Sequence, residues 1–372
     1  MNQLIIGIAV ILILAILVLM FRIQTLLNVM RGSYRQVGGL SNKINALLLP
    51  IFGIVGFGLF FWYSGKASAY YLPESASKHG IQTDFMFWLT MAILVVAFFV
   101  THVFLFFFPF QYQYKEGRKA YYFPENHRLE FVWTVIPAVV LAILVYYGWK
   151  TWTDITQKEP DNSVAVEVVG QQFNWSVRYP GADNKLGNYN FKQISPDNPF
   201  GLVAADKASW DDFMPKEIHI PKGQPVLLKI RAKDVLHSVY LPHFRVKMDA
   251  VPGMPTKFWF VATKSTNEMR QELSNPKFNY ELACAEICGR GHFSMRYVLV
   301  VDEPADYKQW VESQTPWIKS NRDFILANIP DAMKGEVPEE QAPSTTTPEN
   351  NSSAPVPADT SAAKTKGQTA LN

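Results

Sequence analysis

Long apolar runs fill the first 150 residues, and short alternating runs fill most of the rest. Leu4 to Phe21, Ala46 to Tyr63, Phe85 to Phe108 and Phe131 to Trp149 are nearly free of charge. About 18 apolar residues cross a bilayer core of about 30 Å, so each run is predicted to span a membrane. Met1-Asn2-Gln3 carries no basic side chain, which favours a retained first span over a signal peptide. Gly53, Gly56 and Gly58 offer the second run a close-packing face. Pro109 is expected to end the third, and Trp149, Lys150 and Trp152 anchor the end of the fourth. His102, inside the third run, reads as a neutral histidine bonded to a neighbour.

The loops orient the spans. Arg22, Arg31, Arg35 and Lys43 follow the first run, and Lys115, Arg118, Lys119 and Arg128 follow the third. Short basic loops stay in the cytoplasm. Residues 151–372 are then extracytoplasmic. Removing the first span would leave loop 22–45 outside and the later residues inside, so parity supports four spans.

Beyond residue 150 the period changes from helix to strand. Val164–Val169 is a strand-like run, and Gln172–Tyr179 alternates Phe173, Trp175, Val177 and Tyr179 on one face. Residues 180–214 are rich in Gly, Asn, Asp and Pro and read as an inserted loop. Strand patterns return at Glu217–Ile220, Pro225–Arg231, Lys257–Ala262, Tyr280–Leu282 and Arg296–Val301, as in a β-sandwich. Residues 304–334 form a helical segment, and residues 335–372 have the composition of a disordered tail. The predicted fold class is a membrane α-helical part followed by an all-β sandwich.

A net charge of +3 gives no electrostatic case for nucleic acid. There is no CxxCH, so no covalent haem c is expected, and two cysteines cannot make a disulfide scaffold. Both cysteines lie in Cys284-Ala285-Glu286-Ile287-Cys288-Gly289-Arg290-Gly291-His292-Phe293-Ser294-Met295. On one helix, Cys284 and Met295 would stand about 16 Å apart, too far to share a small centre. Gly289 and Gly291 also disfavour a helix, so the stretch reads as a metal-binding loop. Thiolates, imidazole and thioether suit copper, and zinc remains open with a second histidine. That histidine is His237 or His243. His79, His102 and His127 lie in or between the spans, and His219 reads as a strand-surface residue.

These residues resemble subunit II of the haem–copper cytochrome c oxidases. The match runs through Cys284-x-Glu286-x-Cys288-x3-His292-x2-Met295, Asp234-Val235-Leu236-His237-Ser238 and Lys247-x-Asp249-Ala250-x-Pro252-Gly253. Leu129-Glu130-x2-Trp133-Thr134-x2-Pro137 is similar to the start of the family's second membrane helix. The resemblance covers about residues 85–310 and selects His237. It implies a cupredoxin domain at 160–310 carried by a transmembrane hairpin at 85–150. Residues 1–84, with two extra spans, and the tail are additions.

The resemblance further implies a copper A centre of two copper ions on His237, Cys284, Cys288, His292, Met295 and the backbone carbonyl of Glu286. The Glu286 carboxylate, a solvated loop group on residues alone, would face magnesium at subunit I. Glu130 would be the cytoplasmic start of a proton path; its ordinary reading is a carboxylate at a helix start. Electrons would arrive from cytochrome c through Phe173 or Trp175, which otherwise read as sandwich core. Partners would be oxidase subunits I and III and membrane lipid, in a bacterial inner membrane. The implied activity is electron transfer toward oxygen reduction on subunit I, coupled to proton translocation. Phe173 stands where the family usually has Trp, and Lys233 where an acidic residue is common. Acidic and basic residues nearly balance over 160–310, and Arg290 lies inside the metal loop. A less basic or membrane-held donor is expected. Other readings are the copper A domain of a nitrous-oxide reductase, a copper-free quinol-oxidase subunit, and a membrane-anchored copper-binding or copper-delivery protein.

Overall fold

The computed structural model describes residues 2–31 and 39–338. Four helices are long and apolar enough to cross a membrane: α1 Asn2–Met30, α2 Leu40–Ala67, α3 Lys78–Gln111 and α4 His127–Thr156. Each extends beyond the apolar run that predicts it, because the helix continues into polar flanks. Pro109 does not end α3, which runs two residues further to Gln111. Aromatic rings join α2 to α3. Phe57 lies against Phe98, Phe99 and Phe106, and Phe61 stacks on Phe99 at 5.3 Å. A Cβ at Gly53 would meet the Phe106 ring at 2.6 Å, so this glycine allows close approach. His102 Nδ1 lies 2.8 Å from the Phe98 carbonyl, within the same helix.

The extramembrane domain is a sandwich of two sheets. Its strands are β1 Val164–Gln171, β2 Asn174–Arg178, β3 Ile218–Pro221, β4 Pro225–Ala232, β5 His237–Leu241, β6 Val246–Ala250, β7 Thr256–Val261, β8 Tyr280–Cys284 and β9 Arg296–Asp302. One sheet has the order β2-β1-β4-β7 and the other β3-β9-β8-β5-β6. The β1–β4 and β3–β9 pairs are parallel, and the remaining pairs are antiparallel. Val166, Val168, Trp175, Val177, Leu228, Ile230, Val239, Tyr280 and Leu299 fill the core between the sheets.

β5 and β6 were not expected from the pattern. All of β5 except Tyr240 is buried, including the polar His237 and Ser238. Burial on both faces erases the alternation that marks a half-buried strand. Helix α5, Thr266–Glu272, was also not expected, although Ser265 and Glu268 form a capping box at its start.

The expected loop at 180–214 holds no α-helix or named strand, but part of it is packed. Phe200, Leu202, Ala204 and Trp210 form a second core with Val169 of β1. The short C-terminal helices α6 Pro304–Glu312, α7 Trp317–Ser320, α8 Arg322–Asn328 and α9 Asp331–Lys334 follow the sandwich. Trp317, Ile318 and Ile325 from these helices, with Ile329 just after α8, complete the second core. Val337 is buried there too, so the expected tail begins with one side chain anchored in this core, while residues 335, 336 and 338 are exposed. The disordered tail expected beyond them falls at 339–372, outside the described residues.

The second core turns β1 into a strand buried on both faces. Glu167, on the outward face, accepts from Arg178 Nε at 2.6 Å and from Arg231 Nε at 2.8 Å. Arg178 Nη1 also donates to Asp212 at 2.5 Å. Arg231 lies over the Tyr189 ring at 3.9 Å. All four charged groups are buried.

The segment before α3 joins this domain to the membrane helices. Arg245, at φ 56°, forks onto Asp84 with Nε–Oδ1 2.7 Å and Nη2–Oδ2 2.8 Å. Ser77 Oγ donates to the Phe244 carbonyl at 2.7 Å, and Trp259 Nε1 to the Gln157 carbonyl at 3.1 Å.

Candidate metal centre

β8 ends at Cys284, and the chain then loops to a 3-10 turn at His292–Ser294 before β9. The twelve-residue stretch is therefore not a helix. The hydrogen bond from Cys284 N to the Met295 carbonyl at 3.1 Å closes the loop on itself. β5 pairs with β8 with Val239 opposite Cys284, which brings His237 to the same end.

The donor atoms form a continuous string. His237 Nδ1 lies 3.9 Å from Cys284 Sγ, and Cys284 Sγ lies 4.0 Å from Cys288 Sγ. Cys288 Sγ is 3.7 Å from His292 Nδ1 and 3.8 Å from Met295 Sδ. The Glu286 carbonyl is 3.2 Å from Cys284 Sγ. Ligand atoms of His237, Cys284 and Cys288 all lie within 4.8 Å of one another. Metal–sulfur bonds of about 2.3 Å from each thiolate can meet across such a gap. The donor set of two thiolates, two imidazoles and one thioether fits a soft metal such as copper. Both cysteines are free thiols. Burial, and then the neighbouring Cys284, push the Cys288 thiol up to about 11. A metal binding there must displace that proton.

A carboxylate fixes His237. Asp234 Oδ1 accepts from His237 Nε2 at 2.9 Å and from Val235 N at 2.8 Å. With Nε2 donating, Nδ1 keeps its lone pair toward Cys284. Asp234 Oδ2 accepts from Gln172 N at 2.7 Å. Burial opposes the charge on Asp234, but the bonds from Gln172 N, His237 and Val235 N outweigh it and lower its pKa. Gln172 Nε2 donates to the Cys288 carbonyl at 2.6 Å. One turn, between β1 and β2, thus holds both the histidine's carboxylate and the cysteine loop. The resemblance motifs contain Asp234, but they gave no sign of Gln172.

The glycines of the loop have a second role that the sequence did not reveal. A Cβ at Gly291 would lie 2.5 Å from Phe173 Cγ. Gly289 has φ +131°, and its Cβ would lie 3.0 Å from Phe173 Cε1. The Phe173 ring therefore fits against the loop only because both positions lack a side chain.

The two candidate aromatics separate. Phe173 precedes β2 and is 39% exposed, while Trp175 is 1% exposed in the sandwich core. The alternation that grouped them breaks at the turn. Trp175 lies 5.8 Å from the His237 ring, centroid to centroid. Its Nε1 and the Ser238 hydroxyl find no hydrogen-bond partner among the described residues.

Other histidines lie elsewhere. His243 contacts Phe278 and Tyr280, away from the donor string. His219 is half-buried, stacked on Trp310 at 4.3 Å and bonded to Asp302 at 2.6 Å, rather than at an open strand surface. His79 packs edge-on against Trp259 at the base of the domain. Glu130 closes a helix cap: its carboxylate accepts from Asn126 N at 3.4 Å and lies 3.1 Å from His127 Nδ1. The Glu286 side chain is exposed.

Comparison with known proteins adds independent evidence. The family described as cytochrome C oxidase subunit II, periplasmic domain, matches residues 164–302. The family described as cytochrome C oxidase subunit II, transmembrane domain, matches residues 65–150. The alternative cytochrome c oxidase subunit 2 of Bradyrhizobium diazoefficiens is 36% identical over 273 residues, 72% of this chain and 90% of that one. Cytochrome c oxidase subunit 2 of Thermostichus vulcanus is 27% identical over 295 residues, 64% of this chain and 77% of that one. Among solved structures, the periplasmic domain of subunit II of cytochrome oxidase from Bradyrhizobium japonicum matches at TM-score 0.29 and 24% identity. It covers 42% of this chain and 96% of that one.

Proposed function

Since the chain belongs to the cytochrome c oxidase subunit II family, we propose that it receives electrons from a cytochrome c at a copper A centre and passes them to subunit I. The observation that carries this is the string of donors from His237 through Cys284 and Cys288 to His292. His237, Cys284, Cys288, His292, Met295 and the Glu286 carbonyl would hold the metal. Bound copper would supply a one-electron carrier at these residues. Asp234 orients His237, and Gln172 restrains the carbonyl of Cys288, so the ligands keep their positions when charge changes.

Phe173 is the better portal for electrons, because it joins the metal loop to solvent while Trp175 is enclosed. The Glu286 carboxylate would face a magnesium ion at subunit I. Glu130, at the cytoplasmic start of α4, would take up protons for subunit I. The assembly, with subunit III and lipid, would sit in a bacterial inner membrane and reduce oxygen on subunit I while moving protons.

The test is the copper content and EPR spectrum of the full chain in detergent. Two coppers per chain, with the multi-line hyperfine pattern of one electron shared by two nuclei, are expected. One copper with an ordinary single-nucleus pattern, or zinc alone, would overturn this reading and favour a membrane-anchored copper-binding protein.

A further inference from the structure

Two neighbouring carboxylates beside the second core each keep one oxygen without a partner. Asp211 Oδ2 accepts from Asp183 N at 3.0 Å, and Asp212 Oδ2 accepts from Gly187 N at 3.2 Å. One turn, residues 181–187, thus receives both side chains. A Cβ at Gly181 would lie 2.4 Å from Asp211 Cγ, so only glycine lets the turn close on this carboxylate. Asp211 Oδ1 and Asp212 Oδ1 are sealed from solvent and have no hydrogen-bond partner among the described residues. Asp212 as a whole is 0% exposed.

The charges beside this turn do not cancel. Glu167 and Asp212 balance Arg178 and Arg231, which leaves Asp211 in excess. Asp183, exposed on the turn, adds a second negative charge. Neither Asp183 nor Asp211 forms an ion pair among the described residues, and the exposed Lys185 pairs with neither. Asp211 disfavours the charge on Asp212. Water would satisfy a lone pair but would leave the charge, whereas a cation meets both needs.

We propose that Asp211 and Asp212, with Asp183 at the solvent edge, bind a calcium ion. The donors are all oxygens, which suits a hard cation rather than the soft metal of the cysteine loop. Calcium accepts six to eight oxygens in flexible geometry, waters included, while magnesium demands a near-ideal octahedron. The ion braces the insert against the sandwich. The Asp212 carbonyl accepts from Trp317 N at 2.7 Å and the Trp210 carbonyl from Ile318 N at 3.0 Å, so the same segment carries α7.

The test strips the full-length chain in detergent with EGTA and adds calcium or magnesium alone, followed by calorimetry and thermal unfolding. One calcium per chain is expected, with a dissociation constant of about 10⁻⁴–10⁻³ M and a raised thermal midpoint. Magnesium should bind at least about tenfold more weakly. Asp211→Asn breaks no ion pair and should weaken calcium binding about tenfold, with copper stoichiometry unchanged. Asp183→Asn, on the surface, should weaken it less and leaves folding untouched. A stripped chain that takes up no calcium, with water alone at the two oxygens, would overturn the inference. So would calcium binding that neither variant weakens, or magnesium binding as tight as calcium.

Discussion

Two buried polar clusters in the extramembrane domain use their side chains in opposite ways. In the cluster of Glu167, Arg178, Asp212 and Arg231, donors meet acceptors and the formal charges cancel. In the cluster of His237, Cys284, Cys288, His292 and Met295, lone-pair donors face one another at 3.7–4.0 Å with little to bond to. The first cluster pairs its charges internally, with Asp212 Oδ1 alone left over among its oxygens, and supports the second core. The second would be completed by the copper proposed above. The difference teaches that burial and polarity do not alone mark a ligand site. Unmet donor capacity does.

The largest effect should come from breaking one member of each cluster. Arg178→Met leaves Glu167 and Asp212 short of a cation inside the protein, at a cost of about 3–5 kcal/mol. Chemical denaturation should show that loss, while the folded fraction still binds its full complement of copper. Cys288→Ser should do the reverse: copper stoichiometry falls and stability without metal changes by less than about 1 kcal/mol. Equal stability losses in both variants would erase the distinction.

Proton linkage sharpens the comparison. Burial disfavours the Glu167 carboxylate, but Arg178 and Arg231 outweigh it and hold its pKa below the ordinary value of 4.5. Its contribution is present above that value and is lost as pH falls beneath it. Asp212 runs the other way. Burial raises it to about 7 despite Arg178, and its Oδ1 has no partner among the described residues. The short contact to Arg178 argues for the charged form, but the unpartnered oxygen, buried completely, supports the upward direction. That contribution is present below the ordinary value of 3.8 and fades as pH rises through about 7. Thermal midpoints without metal should therefore peak in mildly acidic solution. Glu167→Gln should flatten the acid flank, and Asp212→Asn the alkaline flank.

A smaller effect is expected at the contact between loop and portal. Gly291→Ala forces the Phe173 ring aside, at a cost of about 1–3 kcal/mol, and should slow reduction of bound copper. Unchanged reduction kinetics would remove Phe173 from the electron path. The smallest structural effect lies outside both clusters. Glu130→Gln preserves the cap contact, since the Gln side-chain oxygen can also accept from Asn126 N. Stability should hold within about 0.5 kcal/mol. Proton uptake by the assembled oxidase should fall, and unchanged uptake would leave Glu130 as a cap alone.

The membrane helices were legible because a bilayer demands long apolar runs, and only their ends moved, as at Pro109. The loop at 284–295 was legible as a non-helical cluster of donors because both cysteines and two glycines lie within it. β5 was not, because burial on both faces and a buried histidine hide its period. The second core was hidden because its members are spread from Val169 to Val337, and no local period links them. One signal was available. Glu167 interrupts an otherwise apolar run, and a charge there needs a partner that nothing nearby in the chain announces. Gln172 and Phe173 act through turn geometry, which the alternating pattern placed on the wrong side of the β1–β2 junction.

The fork of Arg245 on Asp84, with Ser77 and Trp259 beside it, has a consequence for timing. Electron tunnelling falls steeply with distance. A domain free to rock on its stalk would sample a spread of gaps, and throughput would depend on rare close approaches. A base clamped from several sides removes that spread. The junction then works as a mast step: it fixes how far the proposed metal centre stands from whatever lies in the membrane beneath.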